Sequence, residues 1–217
     1  HKITLLKEVI QAARAGTVSV SPHWTQRLAG MAKEGVISAK KMRSIVTDGY
    51  IWIDYCCIPQ SASYLAREQR SAGIDTIPLY VARATLFVVL AGAWSHKEER
   101  APRDLREWMA RGWCRMELLC NALSLIPRPI IVIESLSAIC SFGSGGIGTR
   151  GWMTSPVGRG KFTCEADRTR LGPIIRRLIE ARKQQALDEG DLVMYRVLHA
   201  SEARLTGGTG TTVAREE

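Results

Sequence analysis

Residues 85–90 read TLFVVL and residues 129–134 read PIIVIE, two short runs in which almost every side chain is apolar. A segment with helical spacing, 113–125, lies between them and is ended by Pro127. A strand that is apolar on both faces has to be covered on both faces, and helices packed on either side of a parallel sheet provide that cover. The sequence therefore predicts an α/β fold with a mostly parallel sheet and helices on both faces.

Towards the amino terminus the alternation of helices and strands continues. An amphipathic helix is predicted over 2–15, because apolar residues recur at helical spacing before Gly16. The stretch Tyr50–Cys56 is rich in aromatic and β-branched residues, so a buried strand is predicted there, ended by Pro59. The other predicted elements are a strand over 17–21, a helix over 25–47 weakened by Gly30 and Gly35, and a helix over 66–83.

Towards the carboxyl terminus the pattern is less regular. A charged insertion over 96–111 precedes the helix at Trp113, and residues 141–165 are rich in Gly, Ser and Thr, which predicts a loop. Helices are predicted over 166–205, and the Gly- and Thr-rich residues 206–217 are predicted to be a disordered tail. We thus expect an N-terminal helix over 1–16, one α/β domain over 17–140, and then the loop, the C-terminal helices and the tail.

The composition is that of a packed domain and limits the function classes. The 217 residues include 30 Lys and Arg against 21 Asp and Glu, a formal charge of +9 that favours anionic partners. Five arginines between 168 and 182 alternate with apolar residues at helical spacing, which favours a solvated helix face over a nucleic-acid surface. The most apolar stretch, 84–94, is far shorter than the roughly 20 residues that span a bilayer, so no membrane segment is predicted.

Cysteines, histidines and glycine-rich motifs indicate no metal or phosphate site. The adjacent pair Cys56–Cys57 lacks CxxC spacing, and the four histidines are scattered. The six cysteines lie mostly in apolar runs, which fits a reducing, cytoplasmic compartment. The GxGxxG match over 143–148 neither follows a strand directly nor opens a helix, so a flexible loop is the better interpretation.

Two segments carry a resemblance to a known family: YIWIDYCCIPQ at 50–60 and GWCRMELLCNAL at 112–123. Together they resemble the TIR (Toll/interleukin-1 receptor) domain superfamily. The second segment is similar to the helix of plant-type TIR domains, where a Trp-Cys pair precedes a Glu, here Trp113, Cys114 and Glu117. The first is similar to TIR-like proteins of protists and algae and to fungal heterokaryon-incompatibility domains. The resemblance covers about residues 17–135 and includes Ser21–Trp24 at the end of the first predicted strand.

The resemblance implies a flavodoxin-like sheet of order 2-1-3-4-5, with ligands bound beyond the carboxyl ends of the strands. Enzymes of the family cleave the bond between nicotinamide and ribose in NAD, and their catalytic carboxylate corresponds to Glu117. The residues expected to contact the nucleotide are Asp54, His23, Trp24 and Trp113. The resemblance implies no metal and no cofactor, with NAD as substrate, and it implies active sites completed by a neighbouring copy in a homo-oligomer.

Other interpretations of the same residues stay open. Glu117 lies near a helix amino terminus, where the helix dipole favours a carboxylate, so it is also interpreted as an ordinary surface residue. Trp113 shares helical spacing with apolar residues, which is typical of a core position, and Cys114 has no evident His partner, so it is interpreted as packing. A non-catalytic signalling or adaptor module, acting by self-association or partner binding, is the main alternative function. A basic nucleic-acid-binding domain is the second alternative and rests on the charge alone.

Overall fold

The computed structural model describes residues 2–28, 35–92, 104–142 and 152–210, and its centre is a four-stranded sheet. The strands are β1 (Ser21–Pro22), β2 (Phe87–Leu90), β3 (Ile130–Ser135) and β4 (Ala138–Phe142). They lie side by side in the order β1-β4-β3-β2. The predicted strands TLFVVL and PIIVIE are confirmed as β2 and β3.

Helices make up most of the rest of the described chain. Those before β2 are α1 (Lys2–Arg14), α2 (Trp24–Leu28), α3 (Ala39–Thr47), α4 (Asp54–Cys57), α5 (Tyr64–Asp75) and α6 (Ile77–Arg83). Those after it are α7 (Leu105–Ala110), α8 (Gly112–Ala122), α9 (Trp152–Thr154), α10 (Glu165–Asp188) and α11 (Leu192–Leu205), with a 3-10 turn at Val157–Arg159. Among the described residues, no helix combines the length and the apolarity that crossing a bilayer needs.

The central strand β3 is buried on both faces, as its apolar sequence requires. Ile130 and Val132 of β3 pack into a core shared with α6, α8 and α10. Ile131 and Ile133, which point to the opposite face, pack into a second core shared with α1 and α3. Alternate residues of one strand thus enter two cores, which explains why β3 is apolar at successive positions. The predicted α/β architecture with helices on both faces is confirmed.

The direction of the strands differs from the expected sheet. β1 pairs with β4 in parallel and β2 pairs with β3 in parallel, but β3 and β4 are antiparallel. The cause is a hairpin: Leu136 and Ser137 form a two-residue turn that folds β4 back onto β3. β4 then occupies the place beside β3 where a parallel strand was expected. The sheet is mostly parallel by pairs, and the flavodoxin-like order is not confirmed.

The prediction of a strand over Tyr50–Cys56 is wrong. Residues 50–53 are not paired with a strand, and α4 begins at Asp54. Ile53 does have an extended backbone, with φ −131° and ψ 122°, so local propensity is expressed there without a partner strand. Tyr50 and Ile51 are exposed rather than buried. Strand propensity is realised only where a neighbouring strand pairs with the segment, and residues 50–53 have no such neighbour although Trp52 packs against the main core.

The remaining boundaries shift by smaller amounts. The strand predicted over 17–21 is found as the two-residue β1, which begins four residues later and ends one residue later, at the sheet edge, where Pro22 has no ladder hydrogen bond to lose. The helix over 66–83 divides at Thr76 into α5 and α6, with Pro78 in the first turn of α6. The segment 25–47 contains α2 and α3, and residues 29–34, with the glycine at 30, lie outside the described residues.

The carboxyl-terminal segments are more ordered than the sequence predicted. Ser141 and Phe142 belong to β4, and residues 152–165 contain α9 and the 3-10 turn, whereas 143–151 lie outside the described residues. Residues 206–210 of the expected disordered tail form a turn in which Thr206 and Thr209 are buried. This turn lies against the 3-10 turn so closely that a Cβ on Gly158 would collide with the backbone of residues 207–209.

Candidate active site

Glu117 lies on α8 among residues of the hydrophobic core. Its neighbours Met116 and Leu118 are fully buried, and Cys120, about one turn later, is buried as well. The Glu117 side chain keeps a small exposed fraction. A carboxyl group in this position has lost most of its hydration, which disfavours the charged form.

The pKa of Glu117 is raised to about 8. Burial is the largest cause, the Asp54 carboxylate adds to it, and the Arg111 guanidinium opposes both. Glu117 is therefore mostly protonated at neutral pH in the ligand-free chain, and a cation placed beside it would ionise it. A carboxyl group perturbed by burial and by a specific charge partner is a candidate functional group.

Asp54 supplies a second carboxylate close to Glu117. It is the first residue of α4, it is exposed, and its Oδ1 accepts a hydrogen bond of 2.7 Å from the backbone N–H of Tyr55. Its charge raises the pKa of both Glu117 and Cys114. The structure thus brings the predicted residues Asp54 and Glu117 together, although Asp54 begins a helix instead of ending a strand.

Two cations that the sequence did not single out lie at the same place. Arg111 lowers the pKa of Glu117 and of Cys114, and Lys2 lowers that of Cys114. A cavity of about 10 Å³, room for about one water molecule, is lined by Lys2, Glu107, Trp108 and Arg111. Arg111 directly precedes the segment 112–123 that carries the resemblance, so the sequence could have indicated that it lies near Glu117. No sequence pattern connects Lys2 with that segment.

Cys114 is a buried thiol whose pKa the charges of this cluster influence. Its side chain is only 6% exposed, and burial, followed by Glu117, raises its pKa to about 12. A thiol that stays protonated at neutral pH is neither a nucleophile nor a metal ligand. All six cysteines are free, and the described residues contain no group of three or more metal-ligating side chains.

His23 and Trp24 form a separate group at the carboxyl end of β1. The His23 ring stacks on Phe142 with a centroid distance of 4.5 Å, and its Nδ1 lies 2.7 Å from Thr25 Oγ1. Burial lowers the pKa of His23, which Glu134 opposes. Since β1 and β2 run in opposite directions, their carboxyl ends lie at opposite ends of the sheet. The structure therefore does not place His23 and Trp24 at the same end of the sheet as the carboxyl end of β2, which the resemblance had implied.

Trp113 connects α8 to α10. Its indole Nε1 donates a hydrogen bond of 3.0 Å to Oδ2 of Asp167, and its ring packs against the main core. With its polar atom and much of its ring already occupied, Trp113 supports the packing interpretation over a nucleotide-stacking one.

Comparison with known proteins leaves the geometry as the basis for a functional conclusion. No family model, curated protein or solved structure matches the chain. The resemblance of 50–60 and 112–123 to TIR-like proteins therefore remains one of short segments.

Most of the arginines between 168 and 182 have partners within the chain, which favours the helix-face interpretation over a nucleic-acid surface. Arg170 donates to Ser71 Oγ at 2.6 Å, joining α10 to α5. The ion pairs are Arg168 with Glu165 at 2.7 Å, Arg177 with Asp75 at 3.9 Å and Arg182 with Glu189 at 3.6 Å.

Proposed function

We propose that this chain is a TIR-like domain that hydrolyses the bond between nicotinamide and ribose in NAD, with Glu117 as the catalytic carboxylate. The observation that carries the proposal is the position of Glu117, mostly withdrawn from water on α8, beside the exposed Asp54 and the cation Arg111. A carboxyl group held in this way is suited to act on a substrate that carries positive charge at the reacting bond.

The chemistry follows from the charges. The nicotinamide ring of NAD is cationic, so its approach favours ionisation of Glu117. The bond between ribose C1′ and the ring nitrogen breaks with its electron pair staying on nicotinamide, and the Glu117 carboxylate stabilises the oxocarbenium-like ribose. A water oxygen then bonds to C1′ and one proton is released. NAD and water thus give nicotinamide, ADP-ribose and a proton.

The surrounding groups fit the rest of a dinucleotide. Arg111 and Lys2 bring positive charge to the neighbourhood, and pyrophosphate is the part of NAD that positive charge attracts. The cavity that they line holds about one water, so the dinucleotide has to bind over the exposed side of Asp54. We propose that a second copy of the chain supplies the opposite wall, which makes the activity depend on protein concentration.

The direct test is nicotinamide release from NAD by wild type, Glu117→Ala and Glu117→Gln at high protein concentration. We expect release by wild type and loss of at least about a hundred-fold in both variants, with folding retained. Glu8→Gln, which changes an exposed helical carboxylate, is the matched control and should keep full activity. Undiminished release by Glu117→Gln, or none by wild type at any concentration, would contradict the proposal.

A second candidate function, association without catalysis, is favoured by one observation. Large apolar side chains are exposed along 50–80, the most exposed being Tyr50 at 101%, Tyr64 at 76% and Tyr55 at 73%. Exposed apolar patches on a folded chain mark interaction surfaces. The result that favours this candidate is an oligomer that Tyr50→Ser and Tyr55→Ser dissociate, in a protein that releases no nicotinamide. Ile126→Ser, at an exposed apolar residue elsewhere, is the control.

A further inference from the structure

A second cavity lies on α10, which is a different helix from the one that carries Glu117. Its volume is about 450 Å³, within the range of small-molecule sites. The residues that line it are Pro173, Arg176, Arg177 and Glu180. They follow the i, i+3, i+4, i+7 spacing that places side chains along one face of a helix. One continuous surface of α10 therefore forms the cavity wall.

Arg176 differs from the other arginines of this helix. Arg168, Arg170, Arg177 and Arg182 each have a partner within the chain. The Nε and Nη2 atoms of Arg176 are buried from water and have no hydrogen-bond partner. A cation in that state has lost hydration without gaining an acceptor, so turning the guanidinium towards an anion in the cavity recovers both the charge pairing and the hydrogen bonds.

The other lining residues extend the range of groups that the cavity can hold. Arg177 is exposed and lies 3.9 Å from Asp75, a loose ion pair that leaves its donors available to a ligand. Glu180 is fixed by Lys183, with 2.8 Å between Oε1 and Nζ, so its charge is offset while oxygen lone pairs remain for hydroxyl groups. Pro173 has no backbone N–H and presents an apolar ring.

We propose that this cavity binds a small phosphate ester that also carries hydroxyl groups. The phosphate lies at Arg176, with Arg177 as a second donor. A hydroxyl group donates to Glu180, and the carbon skeleton lies over Pro173. Arginine is the residue best suited to a phosphate, because its planar fork of donors matches two phosphate oxygens at once. The site is independent of Glu117 and of the proposed hydrolysis.

The test is calorimetric titration of the full chain with ribose 5-phosphate, inorganic phosphate and ribose at constant ionic strength. We expect ribose 5-phosphate to bind more tightly than inorganic phosphate, and ribose not to bind. Arg176→Gln should weaken both phosphate ligands by about ten-fold or more, the loss expected for a charge-assisted hydrogen bond. Arg196→Gln, which removes an equal charge from an exposed position on α11, should leave both affinities unchanged.

Two further variants separate a binding role from a structural one. Glu180→Gln should reduce the advantage of ribose 5-phosphate over inorganic phosphate without weakening inorganic phosphate. Arg176→Lys keeps the charge but not the fork, and it should fold and bind with intermediate affinity. In the absence of ligand, Arg176→Gln should not lower the melting temperature, because the replaced cation has two buried nitrogens without partners. Absence of phosphate binding by wild type, or equal binding by Arg176→Gln, would overturn the proposal.

Discussion

Trp113 and Asp167 join two helices through one hydrogen bond, from indole Nε1 to carboxylate Oδ2 at 3.0 Å. The two residues are far apart in the chain, so the bond fastens the first turn of α10 to the start of α8. Hydrogen bonds to charged groups contribute about 2 kcal/mol to stability. We expect Trp113→Phe and Asp167→Ala each to lower the free energy of unfolding by about that amount in urea titrations. The double variant should cost clearly less than the sum, and simple additivity would contradict the coupling.

The stability of the chain should depend on pH through Glu117. Its pKa is about 8 in the folded chain against an ordinary value of 4.5, so the unfolded chain releases this proton first. The contribution of Glu117 to stability is therefore complete below about pH 4.5 and is lost as the pH rises to about 8, with an upper limit of about 5 kcal/mol. Urea titrations across this range should show a steeper decline for wild type than for Glu117→Gln. Glu8→Gln should keep the wild-type slope.

If Glu117 acts as an ionised carboxylate, nicotinamide release should increase with pH. The pKa that governs kcat/KM is that of the free enzyme, here about 8. We expect kcat/KM for NAD to rise about ten-fold per pH unit below that value and to level off above it. Initial rates at low NAD concentration give this profile. A kcat/KM that does not change with pH below about 8 would show that the ionisation of Glu117 is not required.

Gly158 should not tolerate a side chain. A Cβ at this position would lie less than 3.0 Å from backbone atoms of Gly207 and Gly208, which cannot move aside as a side chain can. We expect Gly158→Ala to lower the free energy of unfolding by about 1–3 kcal/mol. Gly73→Ala is the matched control, since its Cβ would make ordinary contact with Ile58 at 3.5 Å and Ala favours the helix by about 1 kcal/mol.

The cysteines should divide into reactive and protected groups. Cys56, Cys57 and Cys164 are exposed, and Cys114 and Cys120 are buried. Burial also raises the pKa of both buried thiols, which removes the reactive thiolate. We expect mass spectrometry after brief alkylation to find label on the exposed three and none on the buried two until the chain is unfolded. Early labelling of Cys114 would contradict the packing of α8.

The sequence could predict the elements whose own pattern determines them. β3 was predictable because its successive residues enter two different cores, and β2 because its run is equally apolar, although its Val88 is exposed. α1 and α10 were predictable because their apolar residues repeat at helical spacing. β4 was missed because its Cys140 and Ser141 do not read as a strand, and its place depends on pairing with β3. Residues 50–53 were predicted as a strand because their composition favours one, but no neighbour pairs with them.

The candidate site was predictable to a similar extent. Glu117 and Asp54 were identified because both lie in segments with a recognisable pattern. His23 and Trp24 were expected beside Glu117 and Asp54 because a parallel sheet brings the carboxyl ends of all its strands to one end. The hairpin between β3 and β4 makes β1 antiparallel to β2, so this expectation does not apply. Lys2 reaches the cluster only through the packing of α1. That packing is determined by contacts between distant parts of the chain, which no local sequence pattern predicts.

The close approach of the 206–210 turn to Gly158 has a consequence for how the protein is made. The residues that cover the 3-10 turn are synthesised about fifty positions after it. Domains generally fold as units once their sequence is complete, so a ribosome-bound chain that ends at Leu205 should still expose the 3-10 turn to proteases. Release of residue 210 from the exit tunnel would then be the step after which a nascent chain becomes resistant to digestion.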